Sequence, residues 1–195
     1  MKKSFAFLIL ALSASTLFSQ SAIAQTTWNA DPMHSKLAFS TTHHGISDID
    51  GAFNKFTASA TSSKADFSDA VFDLSVDVAT INTFVEMRDK HLKSADFFDV
   101  EKFPTMTYKS TGIKKIADNK YQLTGDLTLR GITKPVTMDL WYRGTIVNPQ
   151  SKASTAGFQL TGTIKRSDFG VGPKFIAPML SDEVKIKADG EFKQK

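Results

Sequence analysis

The sequence predicts an all-β fold, an antiparallel barrel or sandwich of about eight strands with one short helical insert. Apolar and polar residues alternate along successive segments, as they do on strands, where neighbouring side chains point to opposite faces. The connections between these segments are short, as is typical of antiparallel sheets. Only one segment of the chain, between Thr83 and Lys102, has the spacing of a helix.

Three alternating segments make up the first half of the predicted sheet, at positions 36–43, 51–61 and 71–81. In the last of them Phe72, Leu74 and Val76 occupy even positions with polar residues between them, so they share one face. In the middle segment Phe56 falls out of phase with Phe53. That change of phase predicts a β-bulge or a strand with two apolar faces.

Five further segments show the same alternation, at positions 105–113, 121–130, 136–142, 155–165 and 184–192. Leu127 and Met138 lie in phase with the apolar neighbours of their own segments. The pair Arg130-Gly131 separates two of these segments and suits a hairpin turn. No linker or low-complexity tract divides the chain, so we expect one domain over residues 25–195.

The segment from Thr83 to Lys102 departs from the strand pattern, since ten of its twenty positions are charged or His. Phe84, Met87 and His91 stand at i, i+3 and i+7, which is a helical spacing. The spacing predicts one short helix near positions 85–94, followed by a loop. In an all-β chain we expect such an insert at the mouth of a barrel.

The N-terminal segment, residues 1–24, is predicted to be a secretory signal peptide that is removed. It has two lysines at the start, a short apolar core and a small-x-small cleavage site ending at Ala24. The apolar core is too short to span a membrane, which takes about 20 residues. We therefore expect a periplasmic protein without an integral membrane span.

Composition excludes several classes of function. The chain has no cysteine, which excludes a disulfide scaffold, a zinc finger, an iron–sulfur centre and a thiol nucleophile. The formal net charge is +4, and two lysines leave with the signal peptide, so the mature chain carries +2. Nucleic-acid binding requires a concentrated basic face. We expect no nucleic-acid partner.

Catalytic and metal chemistry have little support in the sequence. Asp89 and His91 would form a hydrolytic triad only with a serine, and no GxSxG motif presents one. His43 and His44 point to opposite faces of a strand, so they do not readily bind one metal ion together. Gly170-Val171-Gly172 lacks the helix that a dinucleotide fingerprint needs. We expect no metal, no cofactor and no catalytic residue.

The abundance of phenylalanine leaves two interpretations open. Thirteen of the sixteen Phe residues follow position 24, many of them at inward-facing strand positions. An eight-stranded barrel is wide enough either to be filled by such side chains or to hold one small ligand. In the second case, charged residues near the loops would meet the polar head of a ligand in an apolar pocket.

Five blocks of sequence occur in a consistent order over essentially all of the mature chain. They are Asp31–Ser35 with Phe39-Ser40 and His43; Gly51–Phe53; Thr80–Thr83 with Arg88–Ser94, Asp96–Asp99 and Phe103-Pro104; Gly125–Val136; and Arg166–Gly170. Together these blocks resemble the YceI-like family of exported, lipocalin-like, polyisoprenoid-binding bacterial proteins.

The resemblance implies an extended eight-stranded lipocalin-like barrel around an apolar tunnel. Family members bind long isoprenoid chains, among them polyprenyl phosphates and isoprenoid quinones, and no catalytic chemistry is implied. We therefore expect a non-enzymatic periplasmic carrier. Its expected partner is an isoprenoid or another long-chain amphiphilic lipid, and a homodimer is left open.

The predicted ligand-binding residues combine a tunnel wall with polar positions near the loops. The wall, chosen by strand phase and motif, comprises Phe39, Phe53, Phe72, Leu74, Val76, Phe97, Phe98, Leu127, Met138 and Phe169. The polar positions are His43, Arg88, His91 and Arg166, which match polar motif positions of the family. These four either contact the ligand or brace the fold. An arginine among them suits a phosphate head group, because Arg binds phosphate bidentately.

Two other functions fit the same residues. A hydrolase or isomerase acting on a lipid would place Arg88, Asp89 and His91 in its site. A stress-response interaction protein would have a barrel packed solid, without a cavity. A cavity with a bound lipid, or turnover of a lipid lost on His91→Ala, distinguishes these alternatives.

Overall fold

The computed structural model describes residues 24–195. The predicted signal peptide, apart from Ala24, lies outside the described residues. The strands are β1 (Thr26–Ala30), β2 (Lys36–His43), β3 (Ser47–Phe53), β4 (Phe56–Ser62), β5 (Val71–Asp77), β6 (Ile81–Asn82), β7 (Thr105–Ala117), β8 (Lys120–Leu129), β9 (Ile132–Val147), β10 (Ser154–Lys165) and β11 (Leu180–Gln194). The α-helix α1 (Glu86–Lys93) lies between β6 and β7, within the stretch predicted for it.

These segments form a closed antiparallel barrel of eight strands. The first three barrel strands are each interrupted, so that β1 continues into β2, β3 into β4, and β5 into β6. The other five are β7 to β11, each paired with the next. The barrel closes because β11 pairs with β2 over most of its length and with β1 at its end. The expected barrel is confirmed, and the alternative of a sandwich does not form.

The three interruptions lie at one level of the barrel, at positions 31–35, 54–55 and 78–80. β3 ends at Phe53 and β4 begins at Phe56, and both side chains line the interior. Two residues between them shift the alternation, which places both rings on the same side. The structure therefore has a break between two strands where the change of phase predicts a β-bulge or a strand with two apolar faces.

One end of the barrel, here called the closed end, is filled with aromatic side chains. The loop at positions 63–70 folds over it, and Phe67 from this loop is only 2 % exposed. The centroid of the Phe67 ring lies 5.4 Å from that of Trp28 and 4.9 Å from those of Tyr142 and Phe158. Aromatic pairs at such separations add stability beyond their buried area. This end is a packed core.

Hydrogen bonds hold the loop in place. The Asp69 carboxylate accepts from the Ser63 N–H at 3.1 Å and from the hydroxyls of Ser62 and Ser63. Burial acts to raise the pKa of Asp69, but these hydrogen bonds outweigh it and lower the pKa from 3.8 to about 2. The fully buried Tyr121 donates its hydroxyl to the carbonyl of Asp66. The loop therefore depends on an ionised carboxylate and on a side chain from the barrel wall.

The opposite end, here called the capped end, is covered by α1 and by the loops at positions 94–104 and 170–179. The Gly172 N–H donates to the Asp96 carbonyl at 3.1 Å and so joins the two loops. α1 has acidic residues in its first turn and basic residues in its last, as its dipole favours. Within residues 24–195, no helix is both long and apolar enough to cross a membrane.

Candidate functional site: an apolar lumen

The barrel contains an elongated cavity of about 210 Å³, here called the lumen. It is larger than the ~150 Å³ apolar cavity that stays dry and binds benzene. Along β11 its lining runs from Leu180 to Phe192, and the part from Val184 to Phe192 alone spans roughly 26 Å at ~3.3 Å per residue. Beneath the capped end it is lined by Leu92, Phe97 and Phe98. The interior is thus a long apolar channel and not a solid core.

Nine of the fourteen predicted ligand-binding residues line the lumen. They are Phe39, Phe53, Phe72, Leu74, Phe97, Phe98, Leu127, Met138 and Arg166. The other five predicted residues lie elsewhere. Val76 and Phe169 are fully buried in the surrounding core. His43 lies at the end of β2, where its ring packs 4.0 Å from that of His44. The expectation that these two rings point to opposite faces is wrong, because β2 ends at His43 and His44 turns away with a left-handed backbone. Arg88 and His91 are described below.

The predicted set omits much of the lining, above all the wall formed by β10 and β11. That wall contributes Phe158, Leu160, Ile164, Val184, Ile186, Ala188 and Phe192. The alternation of apolar residues along both strands is the signal that finds them. Strand phase alone names these positions as inward-facing, but it does not say which inward residues border open space.

The two sides of the barrel differ in the exposure of their inward-facing side chains. On β7 to β9 the inward residues Met106, Leu123 and Leu140 are buried against their neighbours. On β10 and β11 the inward residues Leu160 and Ile186 are only half-buried, although they also point into the barrel. Their remaining accessible surface faces the lumen. The open space therefore lies along the side of the barrel formed by β10, β11 and β2.

Two glycines widen the lumen by letting larger side chains lie back against the wall. A Cβ atom at Gly51 would come within 2.3 Å of the Phe39 ring, and one at Gly162 within 2.1 Å of the Met138 sulfur. Such distances are far inside van der Waals contact. A side chain at either position would push its neighbour towards the centre of the channel.

Tyr108 and Arg166 are buried, line the lumen and carry long polar tips, and both are already hydrogen-bonded. The Tyr108 hydroxyl donates to the Leu123 carbonyl at 3.4 Å. Burial raises the pKa of Tyr108 to about 12, so the hydroxyl is neutral at physiological pH. The lumen thus presents apolar surface along its length and suits an apolar guest.

Arg166 is only 7 % exposed and uses all of its donors on the capped end. Its five N–H groups donate to the backbone carbonyls of Val171, Gly172, Phe175, Leu180 and Ser181. Burial lowers the pKa of its guanidinium, which stays charged because arginine titrates far above neutral pH. Of the two roles left open for Arg166, the geometry supports bracing of the fold, since no N–H remains for a phosphate.

The polar residues of α1 lie outside the lumen. Arg88 donates to the Thr83 hydroxyl at 2.7 Å and to the Thr83 carbonyl at 2.6 Å. The Asp89 carboxylate accepts from the Thr83 N–H at 2.8 Å. His91 is exposed, with its Nε2 atom 3.6 Å from a carboxylate oxygen of Asp96. Asp89 and His91 therefore have different partners and do not form the pair that a hydrolytic triad would need.

The motif at positions 31–35 forms a pinned turn between β1 and β2. The buried Asp31 carboxylate lies 2.7 Å from the Lys193 ammonium and 2.8 Å from Nδ1 of His34. These hydrogen bonds, first that from Lys193, hold the pKa of Asp31 well below its usual range, and the bond to Asp31 raises the pKa of His34. Glu191 completes a group that could hold a metal ion. The Lys193 ammonium already balances the central carboxylate, so we assign this cluster a structural role.

Comparison with known sequences gives a consistent result. The sequence pattern of the YceI-like domain matches residues 28–192. A UPF0312 protein of Staphylococcus aureus strain N315 is 34% identical over 171 residues, which cover 86% of this chain and 97% of the relative. A UPF0312 protein of the bovine strain RF122 is 33% identical over the same length.

Solved structures share the barrel. BcnA from Burkholderia cenocepacia matches with a TM-score of 0.75 and 27% identity, over 83% of this chain and 98% of its own. The YceI protein of Campylobacter jejuni matches with a TM-score of 0.69 and 29% identity, over 77% and 87%. A polyisoprenoid binding domain from Saccharophagus degradans has the same fold at 15% identity, with a TM-score of 0.63 over 89% and 100%.

Proposed function

Because the chain belongs to the YceI-like family, we propose that it is a non-enzymatic carrier for the long apolar chain of an isoprenoid lipid or a similar amphiphile. A polyprenyl phosphate and an isoprenoid quinone are both of this kind. The observation that carries the proposal is the elongated apolar lumen, in which Tyr108 and Arg166 are already hydrogen-bonded. An apolar chain fits such a channel, and its head group stays outside.

Burial of the lipid's apolar chain supplies the binding affinity. Each CH₂ group removed from water contributes roughly 0.8 kcal/mol, so a chain that fills the lumen needs no covalent bond. The half-buried Leu160 and Ile186 would become fully buried against the guest. The name of the Saccharophagus degradans domain, which shares the fold, points to the same class of ligand.

The proposal places the protein in the periplasm. The basic start, apolar core and cleavage site within residues 1–24 support export. A carrier there would shield an apolar chain from water between two membranes. A homodimer is compatible with this role, because one chain forms the whole lumen.

Mass spectrometry of an organic extract is the direct test. The full chain is expressed, collected from the periplasm and purified without detergent. We expect a polyprenyl lipid, a quinone or another long-chain amphiphile at close to one molecule per chain. An extract without any such molecule, from protein that also fails to take up added polyprenyl phosphate, would contradict the proposal.

A matched pair of variants on β5 tests the location. Leu74 is half-buried and lines the lumen, whereas Ser75 is exposed on the opposite face of the same strand. Leu74→Asp should abolish lipid retention, because a carboxylate in the lumen would lose its hydration without a partner. Ser75→Asp should retain the lipid. Circular dichroism checks that both variants fold, and equal retention by the two would rule out this wall.

A further inference from the structure

Several large apolar side chains are exposed at the capped end of the barrel. They are Ile46, Phe84, Val85, Met87, Ile176 and Met179, here called the apolar rim. Phe84 is 82% exposed, Met87 83% and Ile46 88%. Single exposed apolar residues are common on protein surfaces, but a group at one site marks an interaction surface.

Three separate segments bring the apolar rim together. Ile46 lies at the tip of the β2–β3 hairpin, where the His44 N–H donates to the Met179 carbonyl at 3.1 Å. Phe84 and Met87 belong to the segment that leaves β6 and enters α1, and the His91 ring of α1 packs 5.5 Å from the Phe175 ring of the loop at positions 170–179. The rim is therefore built by the hairpin, the start of α1 and the loop at positions 170–179.

The apolar rim is continuous with the cover of the lumen. α1 exposes Met87 to solvent and contributes Leu92 to the lumen lining. The loop at positions 170–179 exposes Ile176 and contributes Val171 to the lining. Each of these segments thus has one apolar residue outside the barrel and one against the cavity.

Charge beside the rim indicates what it contacts. α1 carries Arg88, Lys90 and Lys93 against Glu86 and Asp89, so its formal charge is +1 with His91 neutral. Among residues 24–195 neither Lys90 nor Lys93 has a salt-bridge partner, and neither does Glu86. Lysines next to exposed Phe and Met side chains are typical of segments that lie in the interface of an anionic membrane. The rim residues stand on three separate segments, two loops and the start of α1, with polar residues between them. Side chains presented in this way can each enter a deformable lipid surface.

We propose that the apolar rim docks the capped end of the barrel on an anionic lipid bilayer. This inference rests on the proposed function, because a bilayer is where a long apolar chain resides before and after it is bound. Phe84, Met87 and Ile46 enter the interface, and Lys90 and Lys93 contact anionic head groups. The capped end then faces the membrane, so the apolar chain of the lipid passes between the bilayer and the lumen with little exposure to water.

Vesicle co-sedimentation tests this inference on the mature chain. The probes are vesicles of phosphatidylcholine alone and vesicles of phosphatidylcholine with phosphatidylglycerol. We expect binding to the second kind, weakened by salt. The double change Phe84→Ser with Met87→Ser should weaken that binding roughly tenfold or more, as expected for the loss of two apolar side chains from the interface. The double change Lys90→Glu with Lys93→Glu should remove the preference for anionic vesicles.

The closed end offers a matched control. Ile146 is 72% and Val147 58% exposed there, far from the apolar rim. The double change Ile146→Ser with Val147→Ser should leave vesicle binding unchanged. Equal loss in both double variants, or no binding by the unaltered chain, would overturn docking through the rim.

Two further measurements separate docking from its alternatives. Sedimentation equilibrium without vesicles reports the oligomeric state. A change of that state in the Phe84→Ser, Met87→Ser variant, with vesicle binding retained, would assign the rim to a second copy and overturn the proposal. Lipid retention is measured in parallel on the same variants. Vesicle binding without any retained lipid would refute the proposed function and leave the docking surface standing.

Discussion

The two ends of the barrel are covered in different ways. At the closed end, the Phe67 ring is buried against Trp28, Tyr142 and Phe158, and this packing adds to the hydrogen bonds that hold the loop. At the capped end, hydrogen bonds from Arg166 to backbone carbonyls hold the loop, and several apolar side chains face solvent. At the closed end the core thus continues into the covering loop, whereas at the capped end the hydrogen bonds of Arg166 act together with the stacking of Phe97 on Phe175.

Two phenylalanines, one at each end of the barrel, show the difference between the ends most directly. Phe67 and Phe84 both have a left-handed backbone, with φ values of 58° and 65°. This conformation is unfavourable for a bulky side chain, so each position carries some strain. Phe67 is 2% exposed and Phe84 82% exposed. Burial of the ring accompanies the strain at the first position. At the second the ring stays in solvent, and the Phe84 N–H donates to Oδ1 of Asn82 at 2.8 Å, which fixes the backbone without burying the side chain.

The largest expected effect follows from this pair. Phe67→Ala removes a buried ring from the closed end and should reduce the free energy of unfolding by about 3–5 kcal/mol. Phe84→Ala has the same chemistry and a similar backbone, and should change it by no more than about 0.5 kcal/mol. Urea unfolding of both variants measures the difference. Similar destabilisation by the two would mean that the ends do not differ as described.

The second prediction concerns Arg166. Lysine keeps the charge but cannot reproduce five donors in a plane, so Arg166→Lys should leave buried carbonyls without partners. We expect the free energy of unfolding to fall by roughly 3 kcal/mol. The loop at positions 170–179 should be destabilised most. Hydrogen exchange should become faster there and stay unchanged around Phe67. Arg143→Lys, at an exposed site, should have little effect. Uniform acceleration across the barrel would show that the ends are not independent.

The third prediction concerns how the loop at positions 63–70, which covers the closed end, responds to low pH. The pKa of Asp69 is lowered from 3.8 to about 2, so the stability it contributes is present above 3.8 and is lost as pH falls through 2. Trp28 packs on Phe67 and reports the loop by fluorescence, in a Trp141→Phe background. We expect an emission shift in this acid range. Asp69→Asn should show no such transition, and an identical profile for both would contradict the assignment.

The smallest effect is expected at the pinned turn of positions 31–35. The pKa of His34 is raised from 6.5, so its stabilising charge is present below pH 6.5 and is lost as pH rises through the folded-state pKa. The pKa of Asp31 is lowered from 3.8, so its contribution is lost only in acid. The urea midpoint should therefore fall slightly as the pH rises above 6.5. In the His34→Gln variant the urea midpoint should no longer change with pH in this range. An unchanged dependence on pH would show that the charge of His34 does not stabilise the turn.

Much of the barrel could be predicted from the sequence because a strand records its two faces in alternate residues. Phe72 and Leu74 were assigned to one face by this rule, and both line the lumen. The turn at Arg130-Gly131 and the change of phase between Phe53 and Phe56 could be read in the same way. These features are local, so neighbouring residues suffice to define them.

The covers of the two ends could not be predicted in this way. Phe67 stands alone in a polar loop, and no period indicates that its ring enters the barrel. Arg166 was expected at a head group or in a brace, and its partners are backbone carbonyls, which have no signature in a sequence. Contacts between distant loops form only when the barrel closes. The alternation of apolar and polar residues predicts a barrel or a sandwich, but it does not say which loops meet.

The bore of the lumen depends on two positions that have no side chain. Phe39 and Met138 lie flat because Gly51 and Gly162 leave room for them on the neighbouring strands. Neither glycine has a left-handed backbone, so a larger residue is restricted there only by its neighbours. A single base change in either codon could therefore narrow the channel without removing a hydrogen bond of the sheet. The calibre of the lumen can therefore change while the hydrogen-bonded frame of the barrel stays, at the cost of displacing Phe39 or Met138.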